Sequence, residues 1–185
     1  MKLKIVVENV IATAGLGHGV DLEAVAKILP EVKYDPKAFP GLFFRLRGRP
    51  MKVLVFRNGK MVCMGAKSER EALNAVRKVV RKLRDAGIIV RSIRDFTVHN
   101  IVAAVDLGAS VDIEEAVYKL EAIMYEPEQF PGLIYRMEEP KTTFLIFHSG
   151  KLVCVGAKNE EDLHKAVKKL QKKLEEKGLV CVHVS

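Results

Sequence analysis

Residues 52–67 read KVLVFRNGKMVCMGAK, and residues 143–158 read TFLIFHSGKLVCVGAK. In each stretch two apolar runs flank a turn, Asn58-Gly59 or Ser149-Gly150, which is a hairpin signal. Successive side chains of a strand point to opposite faces, and a hairpin with one solvated face alternates apolar with polar. These runs do not alternate: Val53, Leu54, Val55 and Phe56 are all apolar, as are Met61, Val62, Cys63 and Met64. If Val53, Val55, Met61 and Cys63 face covering helices, then Leu54, Phe56, Val62 and Met64 line a second apolar face. Residues 144–147 and 152–155 repeat the pattern. Something must cover that second face.

Working outward, YDPKAFPGL at 34–42 returns as YEPEQFPGL at 125–133, and ENVIAT at 8–13 answers HNIVAA at 99–104. Every block recurs at an offset of 91, from Tyr34 to Tyr125 and from Gly59 to Gly150, with no gap. Solenoid units run about 20–50 residues, so this period marks two copies of one larger unit, 1–91 and 92–185, expected as repeats within one continuous sheet. Each unit reads in one order. A strand (Ile5 to Thr13; Phe96 to Val105) leads to a short helix capped by Asp21 or Asp112, with Leu22, Val25, Ala26 and Leu29 along one face of the first. Four strand-like runs follow, near 31–35, 41–47, 52–57 and 60–66, broken by Pro36, Pro40 and Pro50. A longer helix closes the unit, opened by Ser68 or Asn159 and stopped near Gly87 or Gly178. The class is α+β: about ten antiparallel strands and four helices, too few to cover both faces of a sheet.

At 49% hydrophobic and 29% charged residues the chain has globular composition. No apolar run approaches the ~18 residues of a membrane span, and Glu8 comes early for a signal peptide, so no membrane partner and a cytoplasmic address are expected. The net charge of +8 is unevenly spread. Residues 1–91 hold 19 Lys and Arg against 8 Asp and Glu, whereas residues 92–185 hold 12 against 15. A basic half suits a polyanionic partner. Cys63, Cys154 and Cys181 lack metal or redox spacing, and the five histidines form no HxH or HExxH arrangement. The Gly15–Gly19 stretch superficially resembles a dinucleotide loop, but its repeat partner lacks the pattern and no βαβ unit surrounds it, so it reads as a turn. No enzyme activity, cofactor or metal is expected.

A phenylalanine offers roughly 150 Å² of contact area, so Phe39, Phe56, Phe130 and Phe147 together rival the largest apolar patch a monomer tolerates, about 300–600 Å². Sheet-on-sheet homodimerisation of the free protein is one cover for such a face. A ligand with apolar walls and anionic edges fits the charge better.

The duplicated Y-x-P-x-x-F-P-G-L and G-K-x-V-C-x-G-A-K blocks and the ENVIAT/HNIVAA openings resemble the TATA-binding protein family in its archaeal form, along nearly the whole chain. The resemblance implies a saddle, a curved ten-stranded antiparallel sheet with four helices on its convex face, whose underside sits in the minor groove of an A·T-rich TATA element. It implies that the protein is a general transcription initiation factor. It places Asn9 and Asn100 as donors to base acceptors, flanked by Ile11 and Val102. Leu54, Val62, Leu145 and Val153 become the apolar contact surface. Phe39 with Phe56, and Phe130, beside Pro131, with Phe147, become intercalating wedges. Arg45, Arg136, Lys60 and Lys151 suit phosphate contacts. Glu126 and Glu128 are implied to meet transcription factor B, which links DNA binding to RNA polymerase. Two departures stand out. Met64 and Val155 replace the usual threonine before Gly-Ala-Lys, and Gly48–Lys52 lacks the E-P-K-T-T of residues 139–143.

Overall fold

The computed structural model describes residues 2–48, 50–121 and 123–182; Arg49 of the departing Gly48–Lys52 segment and His183 lie outside the described residues. The chain forms two compact units, residues 9–99, and residues 1–8 together with 100–185. In the order of the chain the elements begin with β1 (Lys4–Gly15), α1 (Leu22–Ile28), β2 (Val32–Lys33), β3 (Gly41–Arg45), β4 (Lys52–Phe56), β5 (Lys60–Ala66) and α2 (Glu69–Asp85). The second copy supplies β6 (Arg94–Asp106), β7 (Ala109–Val111), α3 (Ile113–Lys119), β8 (Ile123–Met124), β9 (Leu133–Glu138), β10 (Lys141–Ile146), β11 (Lys151–Ala157), α4 (Glu160–Glu176) and β12 (Val180–Val182). Ten strands form one sheet in the order β2-β3-β4-β5-β1-β6-β11-β10-β9-β8, and the pairings resolved along it are antiparallel.

Local chemistry explains the boundaries. Asp21 and Asp112 accept from the backbone N–H of Ala24 and Glu115, and Ser68 and Asn159 from those of Glu71 and Asp162, each satisfying a helix-end donor that would otherwise lack a partner. The hairpin turns need glycine: Gly59 and Gly150 have φ of +86° and +88°, and a Cβ there would lie 1.9 Å from the His18 carbonyl oxygen and 1.7 Å from that of Ala109. The outer strands β2 and β8 are only two residues long, shorter than the five-residue run expected. Pro36 and Pro127 follow closely, and short edge strands offer little free ladder to a stray partner.

The core lies between the helices and one face of the sheet. Ala72, Ala75, Val76, Val79, Val80 and Leu83 of α2 are buried at helical spacing, and Leu163, Ala166, Val167, Leu170 and Leu174 of α4 repeat the stripe. Val53, Val55, Met61 and Cys63 are buried in the first unit and Phe144, Ile146, Leu152 and Cys154 in the second. Each large side chain so buried contributes about 1.5–3 kcal/mol. A two-stranded sheet, β7 with β12, was not apparent from the sequence. Its three-residue strands are too short to show a period, and the stretches that correspond to them in the first copy form no strand.

Candidate nucleic-acid interface

Among the described residues no helix covers the opposite face of the sheet, which is apolar. In the first unit Ile11, Phe43, Phe56, Val62 and Met64 are half-buried there, and in the second Val102, Ile134, Leu145, Phe147, Val153 and Val155. Phe44 and Phe144, one residue out of phase with these, are fully buried beneath the helices. Leu54 differs from expectation: it points to the open side of β4 but is only 6% exposed, whereas its counterpart Leu145 is half-buried. Its cross-strand neighbours are Phe43 and Val62, and the larger of the two has no equivalent beside Leu145.

Asn9 and Asn100 are held by a device the sequence did not disclose. The β1–β5 and β6–β11 ladders each slip by one residue, between Val10 and Ala12 and between Val155 and Ala157. At the slips Gly65 and Gly156 adopt φ of +89° and +102°. Each glycine turns its N–H toward the asparagine and donates to Oδ1 at 2.7 Å. A backbone N–H can only donate, so the amide oxygen must face it. The Nδ2 donors are thereby left over, and among the described residues neither amide nitrogen has a hydrogen-bond partner. Two half-buried donors on an apolar face suit a partner that presents acceptors.

The four expected wedges sit in matched pairs. Phe39 and Phe56 lie with ring centroids 5.9 Å apart at 60°, and Phe130 and Phe147 5.7 Å apart at 65°. Phe39 is 36% exposed, and Phe56, Phe130 and Phe147 are half-buried. The Pro-Gly that follows each first ring has a steric reason. A Cβ on Gly41 would lie 2.8 Å from Phe39 and 3.1 Å from Phe56, and one on Gly132 would lie 2.7 Å from Phe130 and 3.1 Å from Phe147. Neither glycine has positive φ, so space and not backbone freedom selects it.

The first strand of each copy changes face midway. Val10, Ala12 and Ala14 are buried under helices while Asn9, Ile11 and Thr13 look the other way, yet the exposed residues before Asn9 are Lys4, Val6 and Glu8. Lys4 and Val6 line a groove of about 500 Å³ with Ala104, Phe147, Lys151 and Val153, which places them on the open face. In the other unit the Thr13 hydroxyl and His99 Nε2 are 2.7 Å apart, so His99 shares Thr13's face. Lys4, Val6, Thr13, His99, Phe43 and Ile134 therefore join the face although sequence reasoning did not select them. Two polar or charged residues followed by a phase change look, in one dimension, like a strand simply ending.

At the margins, Arg45, Lys60, Arg136, Lys151 and Pro131 are exposed, as are Glu126 and Glu128. Glu126 and Glu128 occupy the turn that in the first copy carries Asp35 and Lys37, so the two turns differ by two charges. Among the described residues no helix is long and apolar enough to cross a membrane.

A duplicated α+β chain whose sheet is helix-covered on one side and apolar, amide-studded and cation-edged on the other belongs to a narrow class of sheet-faced binding proteins. The profile of the family described as "Transcription factor TFIID (or TATA-binding protein, TBP)" matches residues 4–86 and, a second time, 95–177. The TATA-box-binding protein of Pyrobaculum calidifontis is 51% identical over 95% of this chain and 88% of its own length. That of Methanocaldococcus jannaschii is 44% identical over 92% and 93%. The solved structure of the Methanococcus jannaschii TBP superposes with a TM-score of 0.85, at 43% identity, covering 94% of this chain and 99% of that one. The chain belongs to the TATA-binding protein family.

Proposed function

We propose that this protein is a general transcription initiation factor that grips a TATA-like promoter element through the minor groove, bends it, and recruits transcription factor B and, through it, RNA polymerase. The observation that carries the reading is the pair of asparagines whose oxygens are occupied by Gly65 and Gly156. At A·T pairs the minor groove offers acceptors only, whereas a G·C pair adds the guanine N2 donor, which an Nδ2 donor cannot satisfy. Ile11, Val62, Val102, Leu145 and Val153 supply van der Waals surface for the sugar walls, with Leu54 beneath Phe43. Phe39 with Phe56 and Phe130 with Phe147 act as wedges at base steps, whose unstacking costs a few kcal/mol and least at flexible TA steps. Arg45, Arg136, Lys60 and Lys151 contact phosphates and set position. Pro131, beside Phe130, belongs with the DNA contacts, whereas Glu126 and Glu128 steer a basic face of transcription factor B. Met64 and Val155 cannot donate to bases, which moves discrimination toward the asparagines and toward DNA shape.

The test is binding to two duplexes that differ only in a TATA-like element replaced by G·C pairs, with bending followed by energy transfer between end labels. Since a mismatched pair typically costs about 1–3 kcal/mol, a preference of more than roughly a hundredfold for the A·T duplex is expected, with bending on that duplex. Equal affinity for both would refute the reading and leave a nucleic-acid-binding module without TATA specificity.

A further inference from the structure

In the first unit three segments meet at one carboxylate. Glu23, in the first turn of α1, accepts at Oε1 from Arg57 Nη2 and from the Tyr34 hydroxyl, the latter at 3.3 Å. The same Arg57 nitrogen also donates to the Tyr34 oxygen at 3.2 Å, so the three groups close a triangle. Held chiefly by the Arg57 hydrogen bond, the Glu23 carboxyl lies at about 2, and the triangle stays charged at neutral pH. Its corners support the first ring pair. Arg57 directly follows Phe56, and Tyr34 opens the loop between β2 and β3 that carries Phe39. That loop hangs from a weak strand, because β2 joins β3 through only two residue pairs. Its own backbone donors, those of Lys37, Ala38 and Phe39, all run back to Asp35, which shapes the turn without anchoring it to α1 or to the hairpin. The helix is a firm post: Leu22 and Val25 are buried, and Val20, just before the Asp21 cap, donates to the Arg57 carbonyl at 2.8 Å.

The second unit builds the same parts without the triangle. At the offset of 91 stand Glu114, Tyr125 and His148. His148 Nδ1 donates to the Val111 carbonyl at 3.0 Å instead, and among the described residues the Glu114 and Tyr125 side chains have no hydrogen-bond or ionic partner. The loop, the hairpin and the ring pair form there all the same, with the rings 5.7 Å apart. Folding therefore does not require the triangle, and an exposed ion pair contributes little to stability.

We propose that Glu23 is a positioning residue for DNA binding: by holding Arg57 and Tyr34 together it fixes Phe39 against Phe56 in the free protein, so that insertion starts from an ordered pair of rings. The inference rests on the minor-groove reading above. Ordering one mobile side chain during association weakens binding by roughly two- to tenfold, and a ring fixed beforehand avoids that loss. The triangle also settles what Arg57 does. It precedes the turn that leads to Lys60, yet its guanidinium is engaged by the carboxylate and so is withheld from phosphates. Glu23 thus acts through two neighbours and touches no DNA itself.

The experiment has one arm without DNA and one with it. The chain contains no tryptophan, so Phe39→Trp gives a single fluorescent reporter in the first ring pair and Phe130→Trp one in the second. In the full chain free of DNA, adding Glu23→Ala is expected to enlarge the fast, local part of the anisotropy decay at the Phe39 reporter and to leave the Phe130 reporter as it was. On the A·T duplex, Glu23→Ala in the otherwise unsubstituted chain is expected to weaken binding about fivefold, mostly through faster dissociation, with the melting temperature nearly unchanged. The dependence on salt should change by far less than the roughly 0.9 in log K per log salt that one phosphate contact carries. Tyr34→Phe, which removes one corner and no charge, should weaken binding in the same direction. Tighter binding by Glu23→Ala with a steeper salt dependence would overturn the proposal, because Arg57 would then be a phosphate contact that the carboxylate holds back. An unchanged decay, equal loosening at both reporters, or unchanged affinity would overturn it as well. So would a melting temperature that falls in step with affinity, since the triangle would then be a strut of the fold. Equal binding of A·T and G·C duplexes by the unsubstituted chain would instead remove the minor-groove reading, and the arm without DNA would still report on the triangle.

Discussion

At the scale of the residue, the two asparagines separate binding chemistry from folding. The hydrogen bond that Asn100 receives from Gly156 would survive in Asn100→Asp, because a carboxylate oxygen accepts from the same N–H. What changes is the outward atom, from a donor to an anionic acceptor that, in the proposed binding mode, would face the acceptors of the minor groove and nearby phosphates. Asn100→Asp should therefore leave the melting temperature nearly unchanged while weakening binding to the A·T duplex by about 1–3 kcal/mol, some ten- to a hundredfold. Parallel thermal melts and equilibrium titrations check both halves of this. If melting and affinity fall together, the asparagine is chiefly a latch for the Gly156 slip. Asn9→Asp provides the same comparison in the first unit, through Gly65.

At the scale of the element, β5 and β11 divide their residues between two environments, and the cysteines report on the covered one. Burial pushes the Cys63 thiol up to about 11, with the Glu71 carboxylate adding to it, and the Cys154 thiol up to about 12, while Cys181 is exposed on β12. A thiol whose folded pKa is raised holds its full stabilising share below the unfolded value near 9 and loses it as pH climbs from there toward 12. At pH 8 a thiol reagent should label Cys181 on mixing, and Cys63 and Cys154 only as fast as the units open; denaturant should release all three at once. Immediate labelling of three thiols in the native protein would mean the helices do not seal that face. These same strands show how much the sequence disclosed. Apolar residues on both faces of 52–67, duplicated at one offset, gave the hairpins, their order and the existence of an uncovered face. Asp21, Ser68, Asp112 and Asn159 marked the helix starts where their caps are found. The face change after Glu8 and after His99 was not legible, because alternation cannot show a phase shift within one strand. Nor was the burial of Leu54, which depends on a neighbour, Phe43, eleven residues earlier in the chain and directly opposite only once β3 and β4 pair.

At the scale of the whole molecule, net charge alone does not say where a polyanion binds. The first copy's excess, 19 basic against 8 acidic residues, is shared between the margins of the open face and the helical surface of α2, where Arg77 and Arg81 are exposed. Only cations that displace condensed counterions steepen the salt dependence of DNA binding, by about 0.9 in log K per log salt for each phosphate contacted. Lys60 and Lys151 follow the hairpin turns beside Phe56 and Phe147, so in the proposed binding mode both would reach phosphates flanking the two phenylalanine pairs. Replacing the pair with alanine should reduce the slope for the A·T duplex by about 1.8 and weaken binding to any sequence alike, keeping the A·T preference. Arg77→Gln with Arg81→Gln removes the same number of charges from the helix side, so the change in net charge is identical. If that variant leaves the slope unchanged, charge acts through position at the sheet's margin. If it flattens the slope as much as the lysine pair does, DNA reaches the helices too, and contact confined to the open face is wrong.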